Sequence, residues 1–352
     1  MPPRPGVRGA CRDASAAVAQ PPLSRRTWLR RLSLSAMVIA GLPACDFRTP
    51  PALKIGLNSW VGYDPLVLAR ERQRLDVRRV KVIELASVSE TLRHLHNGLL
   101  EGAALTLDET LRQVEQGEDL RIVEFLSTSH GADVVLASPS IERPTQLRGQ
   151  RIAVESSTVG ALMLHRLLQS AGLTLSDVLV VPLESSQHLA ALRDGRVTVA
   201  VSHEPLARHM RAAGFWPMFD SRQMPGEIID VLVVRAATLN QRPEQVQALV
   251  AGWQRGLQEF QADPAKAAEL LAPGVALSEA DYQATLSGLR FYTPGESLGL
   301  LGGRGPAETL QAGKLVETLR GLRLLHHVPV WDHLLAPAPA LQVSRSAMGG
   351  AP

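Results

Sequence analysis

The stretch ESSTVGALMLHRLL, residues 155–168, places Ser156, Ser157 and Thr158 where an apolar run gives way to helix-like periodicity. Hydroxyls together with the free N–H groups of a helix start can hold a carboxylate, sulfonate or phosphate. The plainer alternative is that they only cap their helix. NSWVGYD (58–64) adds Asn58 and Ser59, with Trp60 and Tyr63 suited either to wall a pocket or to fill a core. Three more polar loops, TLD (106–108), STSHGAD (127–133) and SHEP (202–205), bring Thr106, Ser129, His130 and His203. Side chains of this kind orient a small ligand by hydrogen bonds and stacking.

The same loops are acidic. They hold Asp64, Asp108, Asp133, Glu155 and Glu204, with Glu227 and Asp230 further on, and Arg222 is nearly the only base nearby. A bare nitrate or sulfate is normally met by cations or strong donors, so this density of acid suggests a ligand carrying an amine or a protonated ring. Some of these acids are equally suited to capping helices or bonding backbone; Asp108 and Glu204 are the pair expected to face a ligand. The histidines form no catalytic set. His94 and His96 are two apart and so point to different sides of a helix, and His326 and His327 are adjacent near the C-terminus. His130 and His203 have no partner at metal spacing. With no activated nucleophile in sight, no catalytic residue, metal centre or cofactor is expected.

Positioning these loops requires alternating strands and helices. Strand-like runs fall at 53–58, 80–86, 102–106, 120–126, 133–138, 151–155, 178–183, 197–202 and 228–235. Helix-like segments lie between them at 65–75, 89–97, 108–116, 158–170, 186–194 and 205–213, and Gly98, Gly117, Gly172, Gly195 and Gly214 mark several ends. This βα alternation predicts an α/β fold with mostly parallel sheets covered on both faces, whose ligands sit at the carboxyl ends of the strands. ADVVLAS (132–138) and IDVLVVR (229–235) look alike and bracket a smaller α/β unit. They predict two lobes joined by a two-strand hinge: 53–135 plus 230–335, with 136–229 inserted. From about Thr238 to Leu325 the chain is mostly helical, and 336–352 has the composition of a disordered tail.

The N-terminal end carries an address. Of 37 basic and 34 acidic residues, residues 1–44 hold seven arginines and one acid, leaving 30 bases against 33 acids beyond them. The basic balance therefore belongs to the leader, and nucleic-acid binding loses its main support. The uncharged run Leu32–Ala44 is 13 residues long, short of the roughly 20 needed to span a bilayer, so 1–44 is expected to be a cleaved signal peptide. SRRTWLR (24–30) resembles a twin-arginine export signal, with Trp28 where Phe is usual and Arg30 where Lys is usual. LPAC (42–45) resembles a lipobox, which implies that Cys45 is lipidated and heads a tether, 45–52. Asp46 after it resembles the signal that keeps a lipoprotein at the inner membrane. Only one other cysteine exists, Cys11 in the leader, so the exported domain has no internal disulfide.

Six blocks, LKIGLNSWVGYDPLVLARE, SETLRHLHNGLLEGAALTLDETLRQVEQG, DLRIVEFLSTSHGADVVLA, LRGQRIAVESSTVGALMLHRLLQSAGL, VAVSHEPLARHM and FDSRQMPGEIIDVLVVR, occur in this order over residues 52–260. Together they resemble the nitrate, sulfonate and taurine group of periplasmic solute-binding proteins of ABC importers. The resemblance implies a type II periplasmic-binding-protein fold and a monomer that closes on a small molecule and serves a permease and its ATPase. A related group that makes a pyrimidine precursor of thiamine shares the fold, so a pyrimidine-binding protein or an enzyme is an alternative, as is a periplasmic sensor.

Overall fold

The structure is a computed structural model that describes residues 50–302 and 312–349. The leader and Cys45 lie outside the described residues. Eleven strands form two sheets. The first contains β1 (Leu53–Asn58), β2 (Val80–Leu85), β3 (Gly102–Thr106), β4 (Leu120–Ser129), β10 (Ile229–Arg235) and β11 (Leu289–Phe291), in the order β11-β4-β10-β3-β1-β2. Here β1, β2 and β3 are parallel, and β10 runs antiparallel to β3 and β4. The second contains β5 (Asp133–Ala137), β6 (Arg151–Val154), β7 (Leu179–Pro182), β8 (Val199–His203) and β9 (Trp216–Asp220), in the order β7-β6-β8-β5-β9. Its parallel core is β7, β6 and β8, with β5 antiparallel to β8 and β9.

Residues follow burial. GAALT and DVVLA are buried throughout, the continuous apolar run expected of strands covered on both faces. The five glycines at the helix ends and turns have φ between 65° and 98°, where a Cβ would be strained. The helix Pro243–Ala262 packs on Asp64–Glu71 through small residues: a Cβ at Gly256 would collide with the Pro65 carbonyl.

The chain enters the second sheet through 130–132 and returns through 221–228, so Asp133–Ala137 belongs wholly to the second sheet instead of crossing. The two passages touch: Ser129 and Ser221 share a hydroxyl hydrogen bond of 2.8 Å, and the Gly131 N–H donates to Ser221 Oγ at 2.6 Å. Two strands escape the sequence pattern, β9 and β11. Both are edges, one carrying Pro217 and the other three residues long, and neither has room for a pattern to show. Within the stretch 336–352, expected to be disordered, the described residues form the helix Ala338–Gly349, with Ala340 buried and the Ala336 N–H donating to the Ile122 carbonyl at 2.9 Å. Alanine favours helix once a neighbouring surface is there to pack on.

Candidate ligand-binding site

The carboxyl ends of the two sheets face each other across a cleft of about 550 Å³, counting its open mouth. Three strand ends of the first sheet converge on Asp230. The register sets it opposite Thr106 of β3 and Ser127 of β4. Its carboxylate accepts from the Trp60 indole N–H at 2.9 Å, from the Tyr63 hydroxyl at 3.3 Å and from the Ser127 hydroxyl. The glycine between the two aromatic residues makes this possible, since a Cβ at Gly62 would strike the indole nitrogen and crowd Asp230 and Ser127. From the second sheet, His203 meets Trp60 edge-on, with ring centroids 5.6 Å apart.

Asn58, Trp60, Tyr63, Thr106, Glu155, Ser157, His203 and Asp230 line the cleft. Ser157 also caps its helix, its Oγ accepting from the Gly160 N–H at 3.2 Å, so the two readings of this residue are compatible. The remaining candidates lie off the lining. Asp108 is buried, and its carboxylate has no hydrogen-bond partner in the chain. Glu204 is engaged by an ion pair with Arg211 and by the Arg208 N–H at 3.1 Å. Of the pair expected to face a ligand, Glu204 is thus spent on structure and Asp108 is buried off the lining. Ser129 ties the two passages, and its Oγ accepts from the Asp133 N–H at 3.1 Å. His130 and Ser156 are exposed, Ser59 is half-buried, and Thr158 is buried as the first residue of its helix.

The lining adds residues not singled out from sequence, chiefly Glu109, Ser185, Ser202 and Met163, and it includes Asp133, marked in the sequence as one of the loop acids. Glu109 carried a signal that pointed elsewhere: with Thr106 it forms a capping box, its Oε2 accepting from the Thr106 N–H at 3.0 Å. Val159, Gly160 and Met163 share one helix face by their spacing, which sequence alone could have marked.

Four carboxyl groups, Glu109, Asp133, Glu155 and Asp230, line the cleft, and among the described residues the lining holds no lysine or arginine. Arg222 is taken by Asp220 at 2.6 Å. Burial pushes Asp133 up to about 8 and Asp230 up to about 6, the hydrogen bonds from Ser127, Trp60 and Tyr63 restraining the latter. Burial, then the neighbouring Asp108, raises Glu109 well above the usual carboxylate range. Burial likewise lifts Asp108 to about 7. Among the described residues no group of three or more His, Cys, Asp or Glu is placed to hold a metal ion.

Two sheets with parallel cores, joined by two passages around a polar cleft, are the two-lobed type II periplasmic-binding-protein fold. The model of the NMT1-like family matches residues 48–272, and the chain belongs to that family. Comparison with curated protein sequences gives no match. Among solved structures it is similar to a ligand-binding component of an ABC-type import system from Staphylococcus aureus, solved with zinc bound. The TM-score is 0.70 at 14% identity, covering 84% of this chain and 99% of that one. It is also similar to the alkanesulfonate-binding protein SsuA from Xanthomonas axonopodis pv. citri bound to MOPS (0.66, 19%, 83% and 98%). A third is the periplasmic nitrate-binding protein NrtA from Synechocystis PCC 6803 (0.69, 12%, 84% and 88%). Binding proteins predominate among these neighbours, and a desulfurization enzyme is one of them.

Proposed function

We propose that the chain is the solute-binding component of an ABC importer, a clamp that closes by hinge motion on a small polar organic ligand and delivers it to a permease. The observation that carries the reading is a cleft between two sheets, lined by four carboxyl groups with no cation among them. Such a wall favours a ligand with an amine or protonated ring over a plain sulfonate or nitrate. The fold neighbours named for import, sulfonate and nitrate support the class of protein, while a carboxyl lining with no lysine or arginine to answer an anion supports a different ligand. A catalytic role has less behind it: among the described residues the hydrogen bonds of His203 and His188 go to the Glu204 and Leu183 carbonyls, and neither ring is bonded to a serine, threonine or cysteine that it could activate. In this reading Cys45 carries the lipid that holds a monomeric receptor in the periplasm at the inner membrane.

The test is to denature protein purified from its own cells and identify the released solute by mass spectrometry. An amine-bearing solute near one per chain is expected, and adding it back at 100 times its Kd should stabilise the fold by about 2.7 kcal/mol. Release of a sulfonate alone would overturn the ligand class. A purified chain that no small solute stabilises would overturn the binding role.

A further inference from the structure

Glu155 follows β6 in the second sheet, yet its carboxylate reaches across the cleft. Its Oε1 accepts from the Ser89 N–H at 3.0 Å and from the Ser89 hydroxyl at 2.9 Å. Ser89 stands in the first turn of the nine-residue helix Val88–His96, built on the first sheet. The start of a helix presents unpaired N–H groups and the positive end of its dipole, which is where the acid group of a ligand is drawn. Here the chain fills that place with its own carboxylate.

A second observation concerns a group left over. Asp133 Oδ2 belongs to a residue that is more than nine-tenths buried and lines the cleft, and this atom has no hydrogen-bond partner. The register pairs Asp133 with His203, so these two side chains share one face of the second sheet. A carboxyl oxygen that is buried and unanswered calls for a ligand that donates hydrogen bonds or brings positive charge.

We propose that Glu155 determines the charge class of the ligand: it supplies the anion at the helix start from within, so that the cleft turns away solutes ending in sulfonate, carboxylate or nitrate and leaves Asp133 to receive a nitrogen donor. This rests on the clamp reading above. An anionic solute would have to displace Glu155 from Ser89 and then lie among Glu109, Asp133, Asp230 and the displaced carboxylate itself. Removing the Glu155 carboxylate reverses both obstacles at once.

The experiment is calorimetric titration of the protein with sodium methanesulfonate at constant ionic strength, with benzylamine as the cationic probe. Wild type should show no saturable methanesulfonate binding up to the highest concentration titrated, and Glu155→Ala should bind it saturably at a tenth of that concentration or less. Asp133→Asn should lose benzylamine binding without gaining methanesulfonate binding. If Glu155→Ala proves unfolded by circular dichroism, Glu155→Gln carries the test with a smaller gain in the same direction. A variant that gains nothing, or a wild type that already binds methanesulfonate, overturns the assignment. The clamp reading fails separately, if the protein responds to neither probe and to no solute released from cells.

Discussion

Asp230 shows how much a single carboxylate can organise. It gathers an indole, a phenol and a hydroxyl from two other segments, and Gly62 is the vacancy that lets them meet. Gly62→Ala should therefore cost about 1–3 kcal/mol by overpacking and shift the emission of Trp60, both measurable by urea denaturation followed by fluorescence. The buried acids also predict how stability depends on pH. Asp133 and Glu124 stand at about 8, Asp64 at about 7 and Asp230 at about 6, each raised chiefly by burial from an unfolded value of about 4. The folded chain then holds more protons than the unfolded one between these limits. The stability these groups contribute is full below about pH 4 and is lost as pH rises through about 6 to 8. Denaturation of the empty protein between pH 5 and 8.5 should show falling stability, and Asp133→Asn should flatten the slope. A bound cation favours the ionised carboxylate, so the affinity for an amine-bearing solute should rise over the same interval.

Among the elements, the helix Ala338–Gly349 makes the clearest prediction. It lies against Pro243–Ala262 with Ala340 buried and Val343 partly so. Ending the chain at residue 336 should cost about 2 kcal/mol or more from the lost apolar contact, read as a lower melting temperature with an unchanged far-ultraviolet strand signal. That helix was illegible in advance because alanine, proline and serine describe a loose tail equally well, and the surface that orders it is distant in sequence. The inner strands were legible for the opposite reason. Runs such as LKIGLN and IDVLVVR carry their burial in their own composition and end at glycines or polar loops. The site was legible to the level of its loops, since parallel sheets put ligands at the carboxyl ends of their strands. Which side chain turns inward was not. Glu109 advertises a cap and also lines the cleft, whereas Ser129 sits in a pocket-forming loop and spends its hydroxyl between the two passages.

For the whole molecule, the described contacts across the cleft are made by the chain itself. Besides Trp60 with His203 and Ser89 with Glu155, Arg93 lies 3.5 Å from Glu184, and Arg208 Nε donates to Asp281 at 2.9 Å. The outer pairs are half-exposed, and surface pairs of this kind contribute about 1 kcal/mol or less each. In a clamp they bias closure, so Arg208→Ala should weaken solute affinity by no more than about fivefold and should do so less at high salt. Calorimetry at two ionic strengths checks it, and a loss of a hundredfold would place Arg208 in contact with the solute instead. The hydroxyl contact between Ser129 and Ser221 has a further consequence. Because the two passages meet there, a clamp pivoting at that point turns about one line, and displacement grows with the length of the lever arm. Asp133, bonded through its N–H to Ser129, sits close to the axis and travels little. In the proposed clamp a departing solute would thus shed its outlying contacts first and its grip on Asp133 last, so that release would have a sequence as well as a direction.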